Sequence, residues 1–180
     1  MAEAASAESL EVLFQRCRDG DEAGFAQIYR RLGRSLYGTA LRILRQAEEA
    51  EDALQEAFMS FHRKRNELEP AMAGAWLRRV LVNGCLDRIR KRRRRPEAEL
   101  AEDVLRAAPQ SDGLRIDLER ATARLPERAK MVFLLHDVEG FRHREVAELM
   151  GVTEGATKSQ LFRARGLLRS YLGQAPGANP

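Results

Sequence analysis

Residues 144–168 read REVAELMGVTEGATKSQLFRARGLL, and this stretch decides the fold of the C-terminal part of the chain. It opens with a short helical pattern whose apolar residues include Val146 and Leu149, and Gly151 follows as a residue type that ends helices. Thr153 is a residue type that caps helix N-termini, and a longer helical pattern comes after it. Two helices joined by so tight a turn predict a helix-turn-helix.

The second helix of this motif has one face predicted to be buried and another predicted to meet DNA. The inward face consists of Thr157, Leu161, Ala164 and Leu168. A helix that enters the major groove needs small or hydrogen-bonding residues outside and cations for phosphates. The candidate DNA-binding residues are Thr153, Lys158, Ser159, Gln160, Phe162 and Arg163. The motif alone leaves an ordinary helical hairpin with a solvated basic face as the alternative.

The composition indicates an all-α protein. Of the 180 residues 44% are hydrophobic, 32% are charged and 6% are aromatic, and the helix formers Ala, Leu, Arg and Glu dominate. The formal net charge is only +4, so the distribution of charge matters more than its sum. Cys17 and Cys85 lie far apart in apolar helical patterns, which predicts buried, reduced thiols.

The N-terminus carries acidic residues where a secretion signal needs basic ones. No apolar run approaches the roughly 20 residues of a membrane-spanning helix. We therefore expect a cytoplasmic protein that does not insert into a membrane.

Helical spacing predicts four helices in the N-terminal half, at residues 10–18, 21–43, 47–64 and 74–94. Residues 66–73, which contain Pro70, read as a loop. The last of these helices ends in the basic run RIRKRRRR, after which the composition turns acidic with Pro, Ser and Gly, as is typical of a flexible linker. The predicted organisation is two small helical domains, residues 1–95 and 118–175, joined by a linker at residues 96–117.

A further helix is predicted just before the helix-turn-helix. It should begin at Leu125-Pro126-Glu127, with Pro126 in the first helical position. Glu139-Gly140 should end it.

The helix at residues 47–64 carries two stripes. The apolar stripe is Ala50, Ala53, Leu54, Ala57, Phe58 and Phe61, and it should be buried. The other stripe is mostly acidic and consists of Glu49, Asp52, Glu56, Met59 and Arg63, with Gln55 beside it. A solvated face is the simplest interpretation. An exposed Met beside acids favours a protein interface instead.

The helix at residues 74–94 also has a polar face, opposite its apolar one. It runs from Arg79 through Asn83 and Asp87 to Lys91, beside Arg88, and becomes strongly cationic at its end. Such a face suits the bases and phosphates of a single strand. Trp76 fits a core position and a base-stacking position equally well.

The sequence contains little that predicts catalysis. The three histidines show no metal-ligand spacing, so we expect no metal. Acids at positions 48, 49, 51 and 52 are the best candidates for nuclease chemistry, but they lack a paired His or Lys. No Gly-rich phosphate loop is present, and we expect neither enzymatic activity nor a cofactor.

Taken together, these motifs resemble those of bacterial sigma factors of the extracytoplasmic-function (ECF) group of the sigma-70 family. The C-terminal elements that carry the likeness are Leu125-Pro126, Glu139-Gly140-Phe141, Glu145-Val146-Ala147 and Gly155 to Arg165. The N-terminal ones are Asp52 to Phe58, Trp76 to Arg79, Asn83, Asp87 and Arg88. Both sets in the right order, with an acidic linker between them, are more specific than either set alone.

The resemblance implies what each surface does. The acidic stripe (Glu49, Asp52, Gln55, Glu56, Met59) would dock on a coiled coil of the largest subunit of core RNA polymerase. The face with Trp76, Arg79, Asn83, Asp87, Arg88 and Lys91 would recognise and melt the minus-ten element of promoter DNA. The helix-turn-helix would read the minus-thirty-five element. An anti-sigma factor is a further partner that the resemblance allows.

Two departures from the group's pattern concern the recognition helix. Ala156-Thr157 replaces the usual Thr-Val, and Gln160 replaces a common Arg. Gln prefers adenine where Arg prefers guanine, so the group's usual upstream sequence is not assumed. An autonomous helix-turn-helix regulator stays open as the alternative function.

Overall fold

Helices build the described part of the structure, a computed structural model that describes residues 8–94 and 113–173. No strand occurs within these ranges, in agreement with the predicted all-α class. Residue contacts divide the chain into two units, Met1–Val104 and Leu105–Pro180. None of the helices described is long and apolar enough to cross a membrane.

Residues 8–94 form four α-helices: α1 Leu10–Arg18, α2 Glu22–Leu44, α3 Ala47–Lys64 and α4 Pro70–Arg93. A 3₁₀ turn, Arg65–Glu67, lies between α3 and α4. Side-chain caps start the first two helices. The Ser9 hydroxyl accepts a hydrogen bond from the Val12 amide, and the Asp21 carboxylate accepts one from the Ala23 amide.

The core of this unit forms where the helices turn their apolar stripes toward one another. The predicted stripe of α3 is buried throughout, and so are Leu77, Leu81, Cys85 and Ile89 on α4. The Phe61 ring packs edge-on against Phe14 of α1 at 5.3 Å and lies parallel to Phe25 of α2 at 6.1 Å, between centroids. Aromatic contacts thus tie α3 to both preceding helices.

Both cysteines are buried free thiols in this unit, as predicted. Burial raises the pKa of both Cys17 and Cys85, and that of Cys85 to about 12. These thiols stay protonated at neutral pH and pack as small apolar groups.

One predicted boundary is wrong. Helix α4 begins at Pro70 and not at Gly74, so residues 70–73 are helical and not a loop. Proline suits this place because the first helical residue needs no amide donor. Helix α5 begins at Gly113, within the last residues of the segment predicted as a linker. The rest of that linker, residues 96–112, lies outside the described residues.

Residues 113–173 contain α5 Gly113–Ala123, α6 Glu127–Phe133, α7 His143–Met150 and α8 Glu154–Gly173. The helix predicted to end at Glu139-Gly140 changes character midway, because a π-helical turn, Leu134–Val138, follows α6. Pro126 is the N-cap of α6, one place earlier than predicted. Gly140 and Gly151 have φ of 78° and 66°, the left-handed conformation that favours glycine after a helix.

Helices α7 and α8 form the predicted helix-turn-helix. The Thr153 hydroxyl accepts a hydrogen bond of 3.2 Å from the Ala156 amide and so caps the N-terminus of α8. The inward face of α8 is buried as predicted, at Thr157, Leu161, Ala164 and Leu168. Ala164 and Leu168 join Ala121, Leu125 and Ala129 in the core of this unit.

We predict that Leu77→Ala lowers the free energy of unfolding of the first unit by about 2–5 kcal/mol, because Leu77 is fully buried and its truncation leaves a cavity. Met72→Ala is the matched control on the same helix, since Met72 is 62% exposed, and its effect should stay within about 0.5 kcal/mol. Urea denaturation followed by circular dichroism measures both. Equal losses in the two variants would contradict the assigned core.

Candidate nucleic-acid and partner interfaces

The acidic stripe of α3 lies outside the core. Asp52, Gln55, Glu56 and Met59 are exposed, and Glu49 is half-buried. The exposed fraction of Met59 is 52%, which is unusual for a large apolar side chain. The stripe is therefore accessible to a partner.

Gln55 and Met59 also line a groove between α2 and α3 with a volume of ≈ 1090 Å³. Its walls are aromatic, with the Tyr29 ring 4.8 Å from the Phe58 ring, and Tyr29 itself is 46% exposed. Cationic residues also line it: Arg30, Arg34 and Arg63. The α2 side of this surface is not among the interfaces predicted from the sequence. The available signal was Tyr29, an aromatic residue beside the buried stripe of α2 and not within it.

Two arginines of α4 reach across to the acidic stripe. The Arg88 guanidinium makes a bidentate pair with the Glu56 carboxylate, at 3.0 Å from Nη1 to Oε2 and 2.8 Å from Nη2 to Oε1. Arg92 Nη1 lies 3.4 Å from Glu49 Oε2. The sequence predicts separate surfaces for these partners, with the two glutamates in the protein interface of α3 and the two arginines on the DNA-binding side of α4. In the folded unit two ion pairs, Arg88–Glu56 and Arg92–Glu49, connect the two surfaces.

The ion pair with Glu56 holds the Arg88 side chain against α3. This side chain is only 19% exposed, whereas Glu56 is 66% exposed. The hydrogen bond with Glu56 raises the pKa of Arg88, opposed by partial burial, and the charge of Asp52 adds to the same attraction. The side chain is therefore less available to DNA than its sequence position suggested.

The remaining predicted residues of α4 face outward to different degrees. Asn83, Asp87 and Lys91 are exposed, and Trp76 and Arg79 are half-buried. The Asp87 carboxylate accepts a hydrogen bond from Arg90 at 2.7 Å, one turn away. Half-burial places Trp76 between the two roles that the sequence left open, since part of the ring packs inward and part is accessible.

The outer face of α8 is accessible as predicted. Lys158, Ser159, Phe162 and Arg163 are exposed, Phe162 to 77%, and Gln160 is half-buried. Lys158 pairs with Glu154 at 2.8 Å, one turn back. The exposed Phe162 and the cations around it form a surface with apolar and positively charged parts.

The described residues contain no group of three or more His, Cys, Asp or Glu side chains that could hold a metal ion. Three of the acids near positions 48–52 lie on the exposed part of α3, and Glu49 is bound to Arg92.

Comparison with known proteins places both units. Residues 28–95 match the family Sigma-70 region 2, and residues 115–168 match Sigma-70, region 4. The ECF RNA polymerase sigma factor SigM of Mycobacterium tuberculosis is 38% identical over 157 residues, which cover 86% of this chain and 80% of the relative. The RNA polymerase sigma factor CarQ of Myxococcus xanthus is 30% identical, over 89% of this chain and 95% of the relative.

Solved structures agree with these relatives. The sigma factor RpoE of Bartonella quintana, in complex with the anti-sigma factor NepR, matches with a TM-score of 0.63 at 25% identity, over 84% of this chain and 98% of that one. CnrH, in complex with the cytosolic domain of CnrY, has the same fold, with a TM-score of 0.60 at 20% identity, over 93% and 99%. The chain belongs to the ECF group of the sigma-70 family and is a sigma factor that directs transcription initiation by RNA polymerase.

Proposed function

We propose that this sigma factor uses three surfaces: the α3 stripe with its groove for core polymerase, the outer face of α4 for the melted strand, and the outer face of α8 for the upstream duplex. The observation that carries the proposal is the exposure of these faces in helices whose opposite faces are buried. The proposed domains are residues 1–95, a linker at 96–117, and residues 118–175.

Core binding is assigned to α3 because this surface combines apolar area with defined charge. Met59 and Tyr29 are both exposed and both line the α2–α3 groove. Exposed apolar residues grouped in this way mark protein interfaces, and methionine and tyrosine are frequent in their centres. Helix α3 presents Asp52 and Gln55 beside them as polar contacts.

The five predicted residues of the stripe divide into two groups. Glu49 and Glu56 form ion pairs with α4, so their carboxylates already have partners in the free chain. Asp52, Gln55 and Met59 are the main contact points for the polymerase in this proposal. A charge reversal at Glu56 therefore tests two things at once, since it also breaks the pair with Arg88.

The α4 face suits an unpaired strand. Asn83 offers an amide that both donates and accepts hydrogen bonds, and Lys91 lies two turns further along for a phosphate. The half-buried Trp76 ring lies toward the start of the same helix as a stacking surface. Arg79, Asp87 and Arg88 complete the proposed site.

The α8 face suits a duplex major groove. Ser159, Gln160 and Arg163 present hydrogen-bonding groups to base edges, and Lys158 is placed for a phosphate. Thr153 caps α8 through its hydroxyl, so we assign it to the orientation of the helix N-terminus toward the DNA backbone.

Sigma factors in general are initiation factors without catalytic activity of their own. We propose the same for this chain, with no cofactor and with a site of action in the cytoplasm, where RNA polymerase works. An anti-sigma factor is proposed as a further partner, because the relative from Bartonella quintana was solved with one.

We predict that Met59→Glu weakens binding to core polymerase by about 10- to 100-fold, since a charge would enter a desolvated apolar contact. Met72→Glu is the matched control, because Met72 on α4 is also exposed, to 62%, but does not line the groove. Co-purification with core enzyme measures both, with helicity checked by circular dichroism. Retention of Met59→Glu at the level of the control would remove the α3 groove from the core interface.

We predict that Asn83→Ala impairs transcription from a duplex promoter and that a pre-melted bubble template restores most of it, because Asn83 would contact bases only after opening. Lys91→Ala is the comparison, since a lost phosphate contact should lower activity on both templates alike and reduce the salt dependence. Run-off transcription on matched templates measures both. An equal defect of Asn83→Ala on the two templates would argue against a role in melting.

We predict that Gln160→Ala relaxes preference at one base position of the upstream element, by about 1–3 kcal/mol, because Gln160 is placed to read a base edge. Lys158→Ala should instead weaken all upstream sequences alike. Competition binding of the holoenzyme to a set of single-base variants measures the two patterns. A uniform loss in Gln160→Ala would mean that α8 only holds phosphates.

A further inference from the structure

A chain of polar contacts connects the recognition helix to the π-helical turn and to the start of α7. It connects Arg165, Asp137, His136, His143 and Thr157. None of these residues is among the candidate DNA-binding residues. The contacts link the π-helical turn, the start of α7 and two separate turns of α8.

At one end Asp137 holds Arg165. The guanidinium donates two hydrogen bonds to the carboxylate, from Nε at 2.9 Å and from Nη2 at 2.7 Å. The Asp137 side chain is only 19% exposed. Arg165 first, and His136 in addition, hold the pKa of Asp137 below its ordinary value, so the carboxylate stays charged over the physiological range.

At the other end His143 holds Thr157, which is fully buried. The Thr157 hydroxyl donates its one hydrogen to the Glu154 carbonyl at 2.7 Å. It must therefore accept a hydrogen bond from His143 Nδ1, which lies 3.0 Å away. By the same reasoning His136 Nδ1 donates to the Asp137 carboxylate at 2.9 Å. Each ring thus carries its hydrogen on Nδ1 and takes a further proton only at Nε2.

The two imidazole rings meet in the middle, with centroids 4.2 Å apart and planes tilted by 34°. The π-helical turn, Leu134–Val138, carries both His136 and Asp137. His136 contacts the His143 ring, which hydrogen-bonds to Thr157 of α8. Asp137 hydrogen-bonds directly to Arg165 of α8. The two points are eight residues apart on α8, or about 12 Å along its axis.

We propose that His136 and Asp137 position the recognition helix through these two contacts, and that acidification loosens the contact at Thr157 by placing a positive charge on His143. The proposal rests on the proposed function of α8 as the reader of duplex DNA. His136, His143 and Asp137 are positioning residues in this view and touch no base.

The surrounding charges decide which way the pair responds. His143 faces Lys158 and Glu154 from α8 and lies at the first position of α7, where the helix dipole disfavours a cation. Burial first, and His136 next, lower the pKa of His143, and Lys158 and Arg165 add to this effect, which Glu154 opposes. A proton on His143 therefore places a cation against the His136 ring and near two other cations, and movement of the His143 ring away from them relieves the repulsion.

Because the pKa of His143 is lowered, the stability of its contacts depends on pH in one direction. A histidine whose pKa is lowered in the folded state contributes stability while it is neutral. That contribution is present above the ordinary pKa of about 6.5 and is lost as the pH falls below it. The support of α8 should therefore weaken between about pH 7 and pH 5.5.

The test is binding of the holoenzyme to a duplex upstream element and to a scrambled duplex, between pH 5.5 and 8. The ratio of the two affinities is the readout, because a general change in phosphate attraction affects both duplexes equally. We expect the wild-type ratio to fall several-fold on acidification. Asp137→Asn should lower the ratio at every pH. His143→Gln keeps a donor for Thr157 without titrating, so its ratio should stay high and flat.

Gln160→Ala separates the two claims. If it leaves the ratio unchanged, α8 does not read the duplex and the proposed function fails. If it lowers the ratio while the wild type is independent of pH and Asp137→Asn binds normally, the positioning proposal is overturned. Arg165→Lys adds a check on geometry, since Lys cannot make the bidentate pair and should resemble Asp137→Asn at pH 7.5. Circular dichroism on the full chain confirms that the variants fold.

Discussion

The burial of the α3 apolar stripe against α2 and α4 is the constraint on which the first unit depends. Phe61 touches both Phe14 and Phe25, so the rotation of α3 about its axis is fixed by packing. Once the stripe is inside, helical geometry leaves the acids, Gln55 and Met59 outside. The same packing sets the separation of α3 and α4, which allows arginine side chains to span the gap. The burial of the apolar stripe of α3 therefore determines which of its side chains are accessible to a partner.

The second unit solves the same problem with a polar group in its interior. Thr157 is fully buried at the start of the recognition helix and satisfies its hydroxyl through Glu154 and His143. An apolar residue here would pack without selecting any partner. Threonine instead demands a donor on α7, and His143 supplies it. The orientation of α8 is thereby set by directional hydrogen bonds as well as by close packing.

The sequence was sufficient for the features that depend on one helix at a time. Periodicity predicted the buried face of α3 and α8, and residue type predicted the cap at Thr153 and the glycine at position 151. It failed where a feature depends on how two helices are placed. The pair of Arg88 with Glu56, and the α2 wall of the groove, require the rotation and separation of neighbouring helices, which a periodic pattern does not contain. Pro70 was read as a breaker although it suits a first turn.

The Arg88–Glu56 pair has a consequence for the thermodynamics of assembly. A carboxylate that is shared between a partner protein and its own arginine cannot serve both with equal geometry. Any partner that draws Glu56 away must release Arg88, and any nucleic acid that engages Arg88 must release Glu56. Linkage makes this exchange reciprocal, so each ligand changes the affinity for the other by the same factor. In the proposed function, a polymerase contact at Glu56 and a DNA contact at Arg88 would form a cycle of two binding steps whose coupling is located in this ion pair.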